Sequence, residues 1–226
     1  MSPLVLETPV ARRPWPGTTN GGPPPPPPPR GDGGGGGGEP GPRPLLDNVV
    51  LGTLVLIGAE IMLFAGLVSA FWVLRLAAPV WPPPLQPRLP VGVTGANTLV
   101  LLASSLAVGA GVRALQRGDR RRAVRRLRLG AALGALFLLV QGSEWARLVH
   151  FGLTVHSGVY GATFYTLIGA HALHVLAALV WLGLTGLAVA RGRLTARRPG
   201  PLRACALYWH FVVALWPVLY VSVYLL

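Results

Sequence analysis

Lysine is absent from the 226 residues, cysteine occurs once, and aspartate and glutamate together occur seven times. Each scarcity excludes something. A single Cys205 can form no intramolecular disulfide and supply no cysteine-based metal cluster. Only 12% of the residues are charged, against about 25% in a typical soluble domain. Meanwhile 52% are hydrophobic and the mean hydropathy is +0.53, a membrane composition. The net charge of +13 would suit nucleic acid. The arginines lie in short loops between apolar runs, however, which is a signature of membrane topology and implies no nucleic-acid partner. That every basic residue is arginine fits a GC-rich coding sequence rather than a chemical need.

The first 46 residues are a different material, with 14 prolines and 11 glycines, including seven consecutive prolines at 23–29 and six glycines at 33–38. Such a stretch buries too little apolar surface to offset its ordering entropy and is expected to be a disordered tail, residues 1–46. It has no continuous apolar core and so does not resemble a signal peptide. The remainder, 47–226, holds five stretches long enough to cross a hydrocarbon layer about 30 Å thick. They fall at about 48–75, 95–116, 127–149, 159–190 and 204–226. The six prolines of "APVWPPPLQPRLP" (78–90) and the two of "RRPGP" (197–201) cannot continue a helix. The arginine run "RGDRRRAVRRLR" (117–128) is a connector at the membrane surface. The expected fold is all-α: a polytopic membrane bundle of five transmembrane helices.

Arginine counts set the orientation. The tail has four, and the successive loops have two, eight, one and five, with none at the C-terminus. High counts alternate, so the N-terminus is expected in the cytoplasm and the C-terminus in the periplasm.

Among the acidic residues only Glu60 and Glu144 fall within these stretches. Glu60 is the thirteenth residue of its span, and its neighbours three and four positions away are Leu56, Ile57, Leu63 and Phe64. A charge at such a depth costs a few kcal/mol, and its own helix offers no partner. Glu60 is therefore a functional candidate, with its charge state left open by the sequence. Glu144 lies three residues from both Gln141 and Arg147, beside Trp145, where a local ion pair or interfacial anchoring accounts for it. His171 and His174 are three apart in "GAHALHVLAALVWL" (169–182), and the other intramembrane histidine is His210. Two imidazoles on one helix can meet a metal, but bis-histidine haem ligation needs facing helices, and a metal needs further ligands. Trans-helix hydrogen bonding among small residues is the favoured role, and no metal site is expected.

Further segments fall into an ordered set: "GAEIMLFAGLVSAFW" (58–72), Trp81-Pro82-Pro83, "NTLVLLASS" (97–105), Gln141-Gly-Ser143-Glu144-Trp145, "GVYGATFYTLIGAHALHV" (158–175) and "YWHFVVALWPVLYVSVYLL" (208–226). Over about 180 residues this chain resembles subunit III of the haem-copper cytochrome c oxidases. The likeness is to a short, five-helix member, because the first two helices of seven-helix members have no counterpart. Val213 stands where many members carry an acid three positions after the closing histidine, so any role of that acid is absent or relocated.

The resemblance implies a non-catalytic subunit of a respiratory oxidase in a bacterial inner membrane, active in aerobic electron transport and proton translocation. It would bind no cofactor itself: haem and copper reside in subunit I and copper in subunit II, its partners. It would pack on subunit I, hold phospholipid in a cleft faced by Glu60, and support proton uptake and stability. Glu144, His171, His174, His210 and Trp81 would serve packing, hydrogen bonding or lipid headgroups. Rival readings are subunit III of a quinol oxidase, a nitric-oxide-reductase-associated subunit, a small membrane cytochrome b using His171 or His174 with His210, and a proton-coupled transporter built on Glu60 and Glu144. The transporter would show an internal repeat, and none is convincing. Oxygen chemistry has no residues in this chain to carry it, so the enzyme is the complex.

Overall fold

A computed structural model describes residues 47–83, 90–197 and 199–225. The expected tail, 1–46, lies outside the described residues, as do 84–89 of the first loop. Five α-helices follow one another: α1 (Asn48–Ala77), α2 (Val91–Gln116), α3 (Arg120–His150), α4 (Val159–Ala190) and α5 (Gly200–Tyr220). A π-helical turn, Val221–Leu225, extends α5. It comes just after Pro217, which cannot donate the backbone hydrogen bond its position calls for.

The ends of the helices are written in the sequence. Asp47 caps α1 by accepting from Val49 N, and Asp119 caps α3 by accepting from Arg122 N at 2.8 Å. α2, α3 and α4 each close on a glycine with positive φ: Gly118 (83°), Gly152 (89°) and Gly192 (75°). At the first, Asp119 N bonds to Ala114 O and Gly118 N to Leu115 O, pairing two carbonyls that the helix end would leave orphaned. The backbone turns left-handed there at no steric cost only because glycine has no Cβ.

Each helix buries one stripe. On α5, Leu202, Cys205, Trp209, Val212, Trp216, Leu219 and Val223 recur every three or four residues and are buried. α5 packs against α1, α2 and α4, while α3 lies between α2 and α4. α1 is the peripheral helix, held by α5 and α4. The interior holds Trp209, Trp216, Phe64, Phe137 and Phe164, each nearly inaccessible. Close approach of α2 and α3 depends on missing side chains: a Cβ on Gly130 would stand 2.6 Å from Val108 Cγ2 and 3.1 Å from Ser104 O.

The outside is apolar and much of the polar inventory faces inward. Met62, Val73, Leu76, Leu99, Leu106 and Leu139 are exposed, whereas Thr94, Asn97, Ser104, Gln141 and His171 are buried. Among the described residues four helices (α1, α2, α4 and α5 with its extension) are long and apolar enough to cross a membrane. α3 has the length, 31 residues, but carries Arg120, Arg121, Arg122, Arg125, Arg126 and Arg128 at its start and Gln141, Glu144 and Arg147 toward its end. The expected five spans therefore appear as five helices, of which four meet that criterion by themselves.

The glycine contacts yield a paired prediction. Gly130→Leu is expected to lower stability by about 1–3 kcal/mol through overpacking. Gly142→Ala, whose Cβ meets nothing within 4 Å, is expected to leave it unchanged or raise it. Thermal unfolding of the purified protein in detergent distinguishes the two.

Candidate functional site

The buried positions of α1 run Thr53, Ile57, Phe64 and Phe71, and Glu60 falls in the same stripe, seven residues after Thr53. Its carboxylate therefore points into the bundle, away from the exposed face of Met62 and Val73. On α4 the buried stripe includes Leu167, His171, Val175 and Ala178, with His174 at its edge. The two helices bring His174 Nε2 to 2.7 Å from Glu60 Oε2. From α5, the Tyr208 hydroxyl donates to Glu60 Oε1 at 3.3 Å. One carboxylate thus joins three helices.

The second nitrogen of His174 decides where the protons are. Nδ1 lies 2.6 Å from Ala170 O, an acceptor, so Nδ1 must carry a proton and donate it. A bare Nε2 would then oppose a bare carboxylate oxygen, and Glu60 Oε2 has no other hydrogen-bond partner. Two acceptors at 2.7 Å repel, so one proton lies between them. The pair is either imidazolium–carboxylate or imidazole–carboxylic acid, and both forms have zero net charge. Its low charge explains how an acid persists in an apolar setting. The two side chains are 19% and 12% exposed, so the shared proton is shielded without being sealed off. Phe64 sets an edge-on ring 5.2 Å from His174 and 6.3 Å from His171.

His171 has a different environment. It is buried, stacked 5.1 Å from Trp216 at an interplanar angle of 24°, and neither ring nitrogen has a partner. His210, on α5, pairs through Nδ1 with Ser105 Oγ of α2 at 2.5 Å. The three histidines therefore sit in three separate settings, and among the described residues no group of three His, Cys, Asp or Glu could hold a metal ion. Haem fits poorly as well, because His174 and His210 already have partners and His171 is covered by an indole.

Glu144 accepts from Arg147 at 3.0 Å, one turn along α3. Trp81 packs edge-on between Phe71 (5.8 Å) and Tyr160 (5.1 Å), fixing the loop after α1 against the start of α4. Neither meets Glu60 among the described residues. Sequence reasoning missed Tyr208. It pairs with a residue 148 positions away, and no local pattern marks it. Glu60 and His174 were singled out separately, and only helix packing makes them a pair.

This chain is similar to known proteins across these same helices. A family model described as cytochrome c oxidase subunit III matches residues 43–226. Cytochrome c oxidase subunit 3 of Sus scrofa is 35% identical over 179 residues, covering 76% of this chain and 67% of that protein. The Corynebacterium diphtheriae protein of that name is 33% identical over 179 residues, covering 78% of this chain and 87% of its own. That of Tetraodon nigroviridis is 33% identical over 187 residues, covering 80% and 70%.

The shared proton makes a measurable prediction. His174→Ala should lower stability by about 1–3 kcal/mol, because the acid then loses its partner. Glu60→Gln should cost less than Glu60→Ala, since the amide can still donate to Nε2. A double-mutant cycle between Glu60 and His174 should show coupling above about 0.5 kcal/mol; additive losses would mean that the two groups act independently.

Proposed function

Because the chain belongs to the cytochrome c oxidase subunit III family and is a multi-pass membrane protein, we propose that it serves as the non-catalytic subunit III packed against subunit I of a respiratory haem-copper oxidase. Haem and copper belong to subunit I, copper also to subunit II, and this chain contributes no ligand to them. In this reading α3 completes the five spans, the arginine-rich end lies in the cytoplasm of a bacterial inner membrane, and the C-terminus lies in the periplasm.

The observation that supports a particular role is the Glu60–His174–Tyr208 cluster. Along α1 from it, an apolar groove of about 360 Å³ between α1 and α5 is lined by Ile61, Phe64, Ala65, Val68, Ser69, Leu215 and Val218. An acyl chain suits such a groove, and phospholipid held there would keep bulk water from the pair. The pair would hold one exchangeable proton near the partner subunit, assisting proton uptake and stabilising the complex during turnover. Glu144, His171, His210 and Trp81 would serve as packing and hydrogen-bonding residues. The named relatives favour cytochrome c as the electron donor of the complex over quinol.

Purification of the tagged protein in mild detergent tests the assignment. A reduced-minus-oxidised spectrum with haem signals, together with a large co-purifying subunit, is the expected result; a colourless, solitary protein would overturn it. In native membranes at neutral pH, a hydrophobic carbodiimide is expected to modify Glu60. An unmodified Glu60 would remove the exchangeable-proton role while leaving the subunit assignment intact.

A further inference from the structure

The arginines at the end of α2 and over the first turns of α3 do more than carry charge. On α2 and its C-cap, Ala110, Arg113, Ala114 and Arg117 share a face by their spacing of three and four. At the start of α3, its N-cap Asp119 with Arg122 and Arg126 do the same. The tight turn at Gly118 sets the two faces against each other, and between them lies an open cavity of about 260 Å³ lined by these seven residues. The alanines add little bulk, and the four arginines and Asp119 of the lining are all exposed.

Three arginines elsewhere in the chain have partners within it. Arg120 donates to Val189 O at 3.0 Å and to Ala190 O, capping α4. Arg147 has Glu144 and Arg75 has Ser222 O. In the cavity, Asp119 is the one carboxylate, and it is already engaged with the backbone N and the guanidinium of Arg122. Among the described residues, Arg113, Arg117 and Arg126 have no carboxylate or carbonyl partner. Arg113 and Arg117 are four apart, as are Arg122 and Arg126, and like charges at that spacing repel. The lining carries four positive charges against one negative, an arrangement that an anion between the helices would relieve.

We propose that this cavity is a binding site for a phosphate-bearing anion, held by Arg113, Arg117 and Arg126 with Arg122. The cavity is smaller than the roughly 300–1,000 Å³ of pockets for drug-sized ligands, which suits a single phosphate headgroup. It opens where the apolar run of α2 gives way to arginine, the level of lipid phosphates, and basic pockets between membrane helices take anionic headgroups. The ligand chemistry is a phosphate mono- or diester, supplied by an anionic phospholipid or by soluble phosphate. The site shares no residue with the Glu60 cluster.

Native mass spectrometry of the purified, delipidated protein tests the proposal, with phosphatidylglycerol, phosphatidylcholine and inorganic phosphate as probes. Phosphatidylglycerol is expected to be retained over phosphatidylcholine, and Arg117→Gln/Arg126→Gln to reduce that retention by about tenfold or more. Arg121→Gln/Arg125→Gln removes the same charge outside the cavity and is expected to change it less than about threefold. Should the cavity double variant fail to fold, Arg117→Lys keeps the charge but loses the bidentate fork, and a severalfold loss is expected. Inorganic phosphate binding that depends on Arg117 and Arg126, with no lipid preference, would assign the site to soluble phosphate. Equal losses in the cavity and control variants would overturn the proposal in favour of diffuse surface charge. So would the absence of binding by both anions.

Discussion

A carboxylate halfway along an apolar helix must find its counter-group inside the protein, because hydrocarbon offers none. Glu60 meets that requirement across helices, with His174 of α4 at 2.7 Å and Tyr208 of α5 at 3.3 Å. α1 is otherwise the least embedded of the apolar helices, with 11% of its apolar window buried, against 50% for α5. Its attachment rests on few groups: this cluster, the Phe64 and Phe71 rings, and Arg75 reaching Ser222 O. The acid that looks most costly in the sequence is thus one of the polar contacts that hold the peripheral helix in register.

The remaining helices solve the same problem with neutral groups. Trp209 Nε1 donates to Ser104 Oγ at 3.3 Å, Trp216 Nε1 to Thr98 Oγ1 at 2.8 Å, and Asn97 Nδ2 to Phe137 O at 3.0 Å. Gln141 Nε2 donates at 3.0 Å to the hydroxyl of Tyr224, which lies in the π-helical turn. These bonds cross between α2, α3 and α5, where glycines allow close approach. Large indoles fill the interior while their single N–H groups specify which hydroxyl each must face, so apolar packing and polar pairing select the same arrangement.

Two chemically distinct regions follow from this architecture. Midway along α1, the Glu60–His174 pair borders an apolar groove between α1 and α5. At the arginine-rich end, four arginines line a small cavity with one carboxylate, Asp119, already engaged by Arg122. The first region lowers the cost of an acid in an apolar medium by sharing a proton, and the second carries a local excess of positive charge.

Composition, the lengths of the apolar runs and the Pro and Gly breaks determined by themselves that the chain is a helical membrane protein, and they located most helix ends to within about four residues; α3 is the exception, starting at Arg120 rather than at the expected 127, because most of the arginine run read as a connector is helical. These are local properties: hydropathy, the missing N–H of proline and the positive φ of glycine act on near neighbours. The suspicion attached to Glu60 was local too, since a lone acid among leucines is visible without a fold. Its partner was not. His174 lies 114 positions away and Tyr208 lies 148 away, and either could have faced lipid, metal or backbone until α1, α4 and α5 packed. The same holds for the arginines, which read as a topology signal until the turn at Gly118 set two charged faces against each other. Tertiary structure decided these pairings because a side-chain contact depends on which helix faces which, and no periodicity within a single helix encodes that.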